Sequence, residues 1–416
     1  MEPLRFATAG SVDDGKSTLI GRLLVDSKAM FEDQMEAVEQ FSHRRGDAYL
    51  DLALVTDGLR AERAQGITID VAFRYFSTPE RSFVIADTPG HVEYTANMVT
   101  GNSVVDLSLL LVDVRKGVVD QTRRHAVLAS LLRVPHLVVC VNKMDLVGYD
   151  RDAFDAVCED FATFARRLDF SDVVFIPVSA LEGDNVVHRS LAMPWYEGTA
   201  LLHHLEHVYI GSDRNLIDPR LPVQWVVRPD SRSRPDDRRV AGRVAGGVFR
   251  VGDEVLVLPS GLTTTVAEIA TYDGPLAEAA APMSVTVRLA EELDVSRGDM
   301  LCRPHNRPIV GQDLDAMVCW MGDRRLSEGD TLLLKHTTRW VRCLVRTVHY
   351  RLDVNSLHRE TATAALERND IGRVTFRATQ PICYDTYRRN RETGSFILVD
   401  GDDVVTVGAG MLLGPD

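Results

Sequence analysis

A parallel α/β domain followed by two small β-barrels is the fold class that the sequence predicts. Three observations predict it. At 416 residues the chain is longer than one hydrophobic core usually serves. Up to about Tyr209, short apolar runs alternate with helix-periodic segments, the pattern of strands joined by crossover helices. After Asp213, alternating β-branched residues punctuated by Gly-Asp and Pro-Ser-Gly turns replace almost all helical periodicity.

The first part supplies strands at Leu4–Ala9, Phe83–Ala86, Leu107–Val112, Leu137–Val141 and Val173–Val178. Leu19, Ile20, Leu23 and Leu24 give Ser17–Leu24 one apolar helical face, and Phe31, Met35, Val38 and Phe41 repeat that spacing. In the β half, Pro304 and Pro308 flank a polar stretch after the Arg297-Gly298-Asp299 turn, so a boundary is placed there. The expected domains are therefore 1–212, 213–308 and 309–416.

Composition narrows the function. With 60 acidic against 47 basic residues and a net charge of −13, an indiscriminate grip on nucleic-acid backbones is disfavoured. Six scattered cysteines without a C-x-x-C pair suit reduced thiols. No apolar stretch approaches the length of a membrane helix, and a soluble cytoplasmic protein is expected. Only five of the basic residues are lysines. Where a site needs a compact ammonium, Arg cannot replace Lys, and Lys16 and Lys143 both fall inside nucleotide motifs.

Gly10-Ser11-Val12-Asp13-Asp14-Gly15-Lys16-Ser17 fits G-x-x-x-x-G-K-[ST] between a strand and a helix, the P-loop arrangement. Glycine lets successive N–H groups, with those of Thr18 and the helix start, wrap phosphate oxygens. Lys16 reaches the β- and γ-phosphates, and Ser17 is positioned to ligate Mg²⁺. Asp87-Thr88-Pro89-Gly90 follows a strand, placing the Asp87 carboxylate near Mg²⁺, through water, and the Gly90 N–H near the γ-phosphate. Asn142-Lys143-Met144-Asp145 ends another strand. The Asp145 carboxylate there accepts from guanine N1–H and its exocyclic amine, a pattern adenine does not offer. Ser179-Ala180-Leu181 caps a further strand and closes over the base. Four such loops on one sheet edge point to GTP or GDP with Mg²⁺. Thr68, in Gly66-Ile67-Thr68-Ile69-Asp70, is the candidate switch residue, completing Mg²⁺ coordination only while γ-phosphate is present. His91, directly after the Asp-Thr-Pro-Gly motif, is placed to orient the attacking water.

Two further features are set aside. His203 and His207 stand one helical turn apart, but no third metal ligand is placed by the sequence, so they are read as a solvated helix face. The Arg-rich stretch Arg228–Arg239 is interleaved with Asp230, Asp236 and Asp237 and reads as a charged hairpin loop.

With these residues in view, the sequence resembles the translation-factor class of GTPases over its whole length. Within that class it is similar to the large GTPase subunit of sulfate adenylyltransferase. Ser11 and Asp14 stand where elongation factors have histidine, and Gln65 stands where they place arginine. Met193–Gly198, Lys335–Arg339, Tyr350–Asn355 and Thr393–Leu398 also resemble the sulfate subunit. Glu93, Ala96 and Asn102 depart from it, where Gln, Arg and Ala are expected. The resemblance implies an elongation-factor-like three-domain architecture, an α/β P-loop GTPase domain followed by two β-barrel domains. It also implies a small catalytic partner subunit that adenylylates sulfate with ATP, driven by GTP hydrolysis in this chain. No second G-x-x-x-x-G-K-[ST] is present, so adenylylsulfate kinase activity is not expected of these residues. Delivery of an aminoacyl-RNA and a non-hydrolysing GTP-binding scaffold are the alternatives.

Overall fold

The computed structural model describes residues 2–28, 71–90, 95–227 and 238–414. Thr68, His91, Glu93, the Phe31–Phe41 helical pattern and most of the Arg-rich stretch lie outside them. Two compact units form, Met1–Ile210 with Val354–Ser356, and Gly211–Asp353 with Leu357–Asp416.

The first unit is a six-stranded sheet with the order β2-β3-β1-β4-β5-β6. The strands are β1 (Leu4–Ala9), β2 (Ala72–Ser77), β3 (Ser82–Asp87), β4 (Leu107–Asp113), β5 (His136–Asn142) and β6 (Asp172–Pro177). All neighbouring pairs run parallel except the β2–β3 hairpin. Every residue of β4 and β5 is buried, which is why both read as unbroken apolar runs rather than alternating ones. Helix α1 (Lys16–Asp26) buries Leu19, Ile20, Leu23 and Leu24, as its periodicity predicts. It is followed by α2 (Thr95–Asn102), α3 (Asp120–Leu131), α4 (Arg151–Ala165) and α5 (Leu201–His207). Asp150 caps α4 by accepting the Asp152 N–H at 3.2 Å.

The strand β2 has no counterpart in the sequence expectations. It is an edge strand pairing only with β3, and its Phe73 and Tyr75 are exposed. An apolar-in, polar-out alternation is therefore missing from it.

The second unit is antiparallel. An eight-stranded sheet spans Arg220–Cys302, around Leu221, Val240, Phe249, Val255, Val266 and Leu301. A second sheet closes on itself. Thr331–His336 pairs with both Ser395–Val399 and Arg339–Leu352, and Thr406–Leu412, Ile309–Trp320 and Ile371–Tyr384 complete the ring. Trp320, Phe376, Phe396 and Leu412 fill it. The two sheets are tied by Arg220, whose buried guanidinium donates to the Asp385 carboxylate at 2.8 and 2.9 Å and to the Asn306 carbonyl at 2.8 Å. Thr393 Oγ1 donates to the same carboxylate at 2.8 Å.

Candidate guanine-nucleotide site

Residues 10–15 join β1 to α1 and turn through left-handed backbone at Asp13 and Gly15. Glycine is required at three points of the loop system. A Cβ on Gly15 would lie 2.4 Å from Asn142 Nδ2, and one on Gly10 would lie 2.9 Å from the Leu111 carbonyl. A Cβ on Gly90 would lie 2.5 Å from Lys16 Nζ and 2.6 Å from the Gly10 carbonyl. The Asp87–Gly90 loop thus packs directly on the P-loop. Asp14 is buried, and its Oδ2 accepts the Ser11 N–H at 2.7 Å. Burial raises its carboxyl pKa, although Ser11, Lys16 and Lys116 pull it down.

Lys16 is buried and donates to the carbonyls of Gly10 at 2.9 Å and Ser11 at 3.0 Å. Burial lowers its pKa, while Asp87 and Asp14 oppose that shift. Ser17 and Thr18 open α1 and are half-buried. Asp87 sits at the end of β3, 2% exposed, and accepts from Thr8 Oγ1 at 2.8 Å.

Asn142 ties the remaining loops together. Its Nδ2 donates to the Asp14 carbonyl at 2.8 Å, and its Oδ1 accepts the Ala180 N–H at 2.9 Å. Ser179 Oγ donates to Asp145 Oδ1 at 2.6 Å. Lys143 donates to the Asp13 carbonyl and pairs with Asp113 Oδ2 at 2.9 Å. Burial works against Asp113 ionisation, but Arg115 and Lys143 outweigh it and hold the carboxyl well below the usual range. Ser179 and Ala180 are buried, and Leu181 is exposed. Direct contacts therefore join Gly10, Ser11, Asp14 and Lys16 within the P-loop, and link Asp13 and Asp14 to Lys143, Asn142 and Ala180.

Several contributors are invisible to motif reading. His125 on α3 accepts the Gly10 N–H through Nδ1 at 2.8 Å, and burial depresses its pKa to about 3. Gln121, one turn earlier, donates to the Gly90 carbonyl at 3.0 Å. Arg22 on α1 donates to the Ala180 carbonyl at 3.3 Å and also to that of Leu181. The one available signal is the spacing of Gln121 and His125 on a single helical face. Asn102, one of the departures noted in the sequence, is buried and donates to the Met98 carbonyl at 3.1 Å.

Sheet order and the G-x-x-x-x-G-K-S loop between β1 and α1 together define an α/β nucleotide-binding protein of the P-loop class. The family model of the elongation factor Tu GTP-binding domain matches residues 2–219. A GTP-eEF1A C-terminal domain-like model matches residues 313–413. The bifunctional enzyme CysN/CysC of Mycobacterium tuberculosis is 59% identical over 99% of this chain, which spans 67% of that relative. The corresponding protein of Rhodopirellula baltica is 54% identical over 99% of this chain, which spans 63% of it. Sulfate adenylyltransferase subunit 1 of Bacteroides fragilis is 49% identical over 99% of this chain, which spans 86% of it. The chain belongs to the sulfate adenylyltransferase subunit 1 family. Among the described residues, no helix is long and apolar enough to cross a membrane.

Proposed function

We propose that this chain is the GTP-hydrolysing subunit of a sulfate adenylyltransferase, and that hydrolysis drives formation of adenosine 5′-phosphosulfate from ATP and sulfate in a small catalytic partner subunit. The observation that carries the reading is the Asn142 bridge, which fixes the phosphate loop and the base loop at one spacing, within a chain whose relatives bear that subunit's name. Those names favour sulfate activation over aminoacyl-RNA delivery, and the GTPase domain favours hydrolysis over a passive scaffold.

In this reading Lys16 and the amides of the 10–18 loop hold the phosphates. Asp145 reads guanine, and Ser179 keeps the Asp145 carboxylate turned toward the base. The backbone of Ala180 and Leu181 closes over the ring. Half-buried Ser17 and buried Asp87, the latter through water, would offer oxygen-only donors, which fit Mg²⁺. That ion, when bound, neutralises phosphate charge. Thr68 completes the donor set in the triphosphate state, and His91 orients the water that attacks the γ-phosphate. Catalysis is then mainly positioning and charge stabilisation. Coupling requires that GTP and GDP favour different conformations, with Thr68 and the Asp87–His91 loop as the moving parts.

The test is single-turnover phosphate release by the chain with its co-purified small subunit. Release is expected from the unmodified protein and is slowed by about 100-fold or more in His91→Ala. Sulfate-dependent pyrophosphate release should require GTP. No phosphate release from the unmodified complex would defeat the hydrolysis reading. Pyrophosphate release indifferent to GTP would defeat the coupling.

A further inference from the structure

We propose that His203, Glu206 and His207 on α5 form a binding site for one divalent transition-metal ion of the zinc type, apart from the nucleotide site. Sequence alone sets the two histidines aside for want of a third ligand. The fold supplies Glu206. Helix α5 buries Leu201, Leu202 and Leu205, which turns positions 203, 206 and 207 to the opposite side at i, i+3 and i+4 spacing. One ligand atom from each of the three lies within 4.8 Å of the others, and the two imidazole centroids are 4.1 Å apart.

Two of the three ligands are already oriented by neighbours. His207 Nδ1 lies 2.8 Å from the His203 carbonyl. A carbonyl only accepts, so Nδ1 carries the proton and Nε2 keeps its lone pair for a metal. Ligating histidines commonly hold their second nitrogen in this way. Glu206 Oε1 accepts from Thr78 Oγ1 at 2.7 Å, on the turn between β2 and β3.

The helix end beneath is held as well. Buried Arg81 donates to the carbonyls of Leu205 at 3.1 Å and Val208 at 2.7 Å. These bonds satisfy carbonyls that a helix C-terminus leaves open. A site on this turn therefore keeps its shape.

Two imidazoles and one carboxylate favour Zn²⁺, Co²⁺ or Ni²⁺ over Mg²⁺ or Ca²⁺, which prefer all-oxygen shells. The oxygen-only donors at Ser17 and Asp87 have the reverse preference. A bound ion would cross-link the last turn of α5, the final helix before the chain passes to Gly211.

Tag-free protein, stripped of transition metals and loaded with GDP and Mg²⁺, is titrated with Zn²⁺ by calorimetry. One equivalent is expected to bind. His203→Ala and His207→Ala each weaken it by about tenfold or more, as does Glu206→Ala. Both histidines are exposed, so the variants should fold, and unchanged GDP affinity checks this. Zn²⁺ should raise the melting temperature of the unmodified protein and leave the double histidine variant unmoved. Failure to bind Zn²⁺ in the submillimolar range, or equal binding by the double variant, overturns the site. Affinity unchanged by Glu206→Ala overturns the three-ligand assignment.

Discussion

The buried imidazole of His125 accepts the backbone N–H of Gly10 at 2.8 Å, so the first residue of the phosphate loop is oriented by a side chain 115 positions away. The bond requires neutral Nδ1, and burial depresses this pKa to about 3. His336, buried in the closed barrel, lies at about 4, with burial the leading cause. In the unfolded chain both would titrate at about 6.5. Below that pH the unfolded state binds the extra protons, so stability is fully present above it and is lost as pH falls toward the folded values. Each histidine should contribute a loss of about 1.4 kcal/mol per pH unit between about pH 6 and 5. Urea unfolding at several pH values in that window measures the slope. A flat profile would remove the neutral-imidazole account.

Asp145→Asn replaces a carboxylate by an amide at the position proposed to read guanine. The amide keeps one acceptor, no longer charged, and turns an N–H against the second guanine donor, so GTP binding should weaken by at least about 100-fold. Xanthosine triphosphate, with a carbonyl in place of the exocyclic amine, should bind better to the variant than to the unmodified protein. Competition against a fluorescent guanine nucleotide reads both effects. Retained guanine preference in the variant would show that the base is read elsewhere.

Gly90→Ala places a methyl group 2.5 Å from Lys16 Nζ and 2.6 Å from the Gly10 carbonyl. Lysine can move aside, but the carbonyl belongs to the loop backbone and cannot do so cheaply. The variant should slow single-turnover hydrolysis by about tenfold or more, with a smaller loss of GDP affinity. Equal rates would mean that the two loops separate before the chemical step.

Arg220→Ala would leave the Asp385 carboxylate buried opposite an empty space. A buried pair broken on one side costs about 3–5 kcal/mol, and this destabilisation should be seen in the second unit. The double variant Arg220→Met with Asp385→Leu should recover most of the loss, since no charge is then stranded. Denaturant midpoints of the three proteins decide it. An undiminished loss in the double variant would assign the effect to the Asn306 and Thr393 contacts.

Much of this fold is legible in the sequence where burial is two-sided. The Leu4–Ala9 strand has the bounds that its apolar run predicts, and the runs in β4 and β5 differ from the observed strands by a residue at each affected end. The edge strand β2 escapes such reading because its exposed aromatics blur the alternation. At the site, the residues of all four loops carry local spacing motifs and were nameable in advance. His125, Gln121, Arg22 and Asp113 were not, since each acts on a segment distant in sequence through one or two hydrogen bonds or an ion pair. Glu206 illustrates the same limit at short range. Its position on the helix is plain from the sequence, but the Thr78 hydroxyl that turns its carboxylate is 128 residues away.

The ring made by joining Thr331–His336 to Arg339–Leu352 has a bearing on recognition. Each of its six staves has neighbours on both sides, leaving only the two-residue flange Arg359–Glu360 to end the hydrogen-bonded ladder. An incoming polypeptide finds no full-length free edge strand on that ring to extend. Association on that ring should therefore lean on side chains, and its specificity should yield to surface substitutions that leave the backbone untouched.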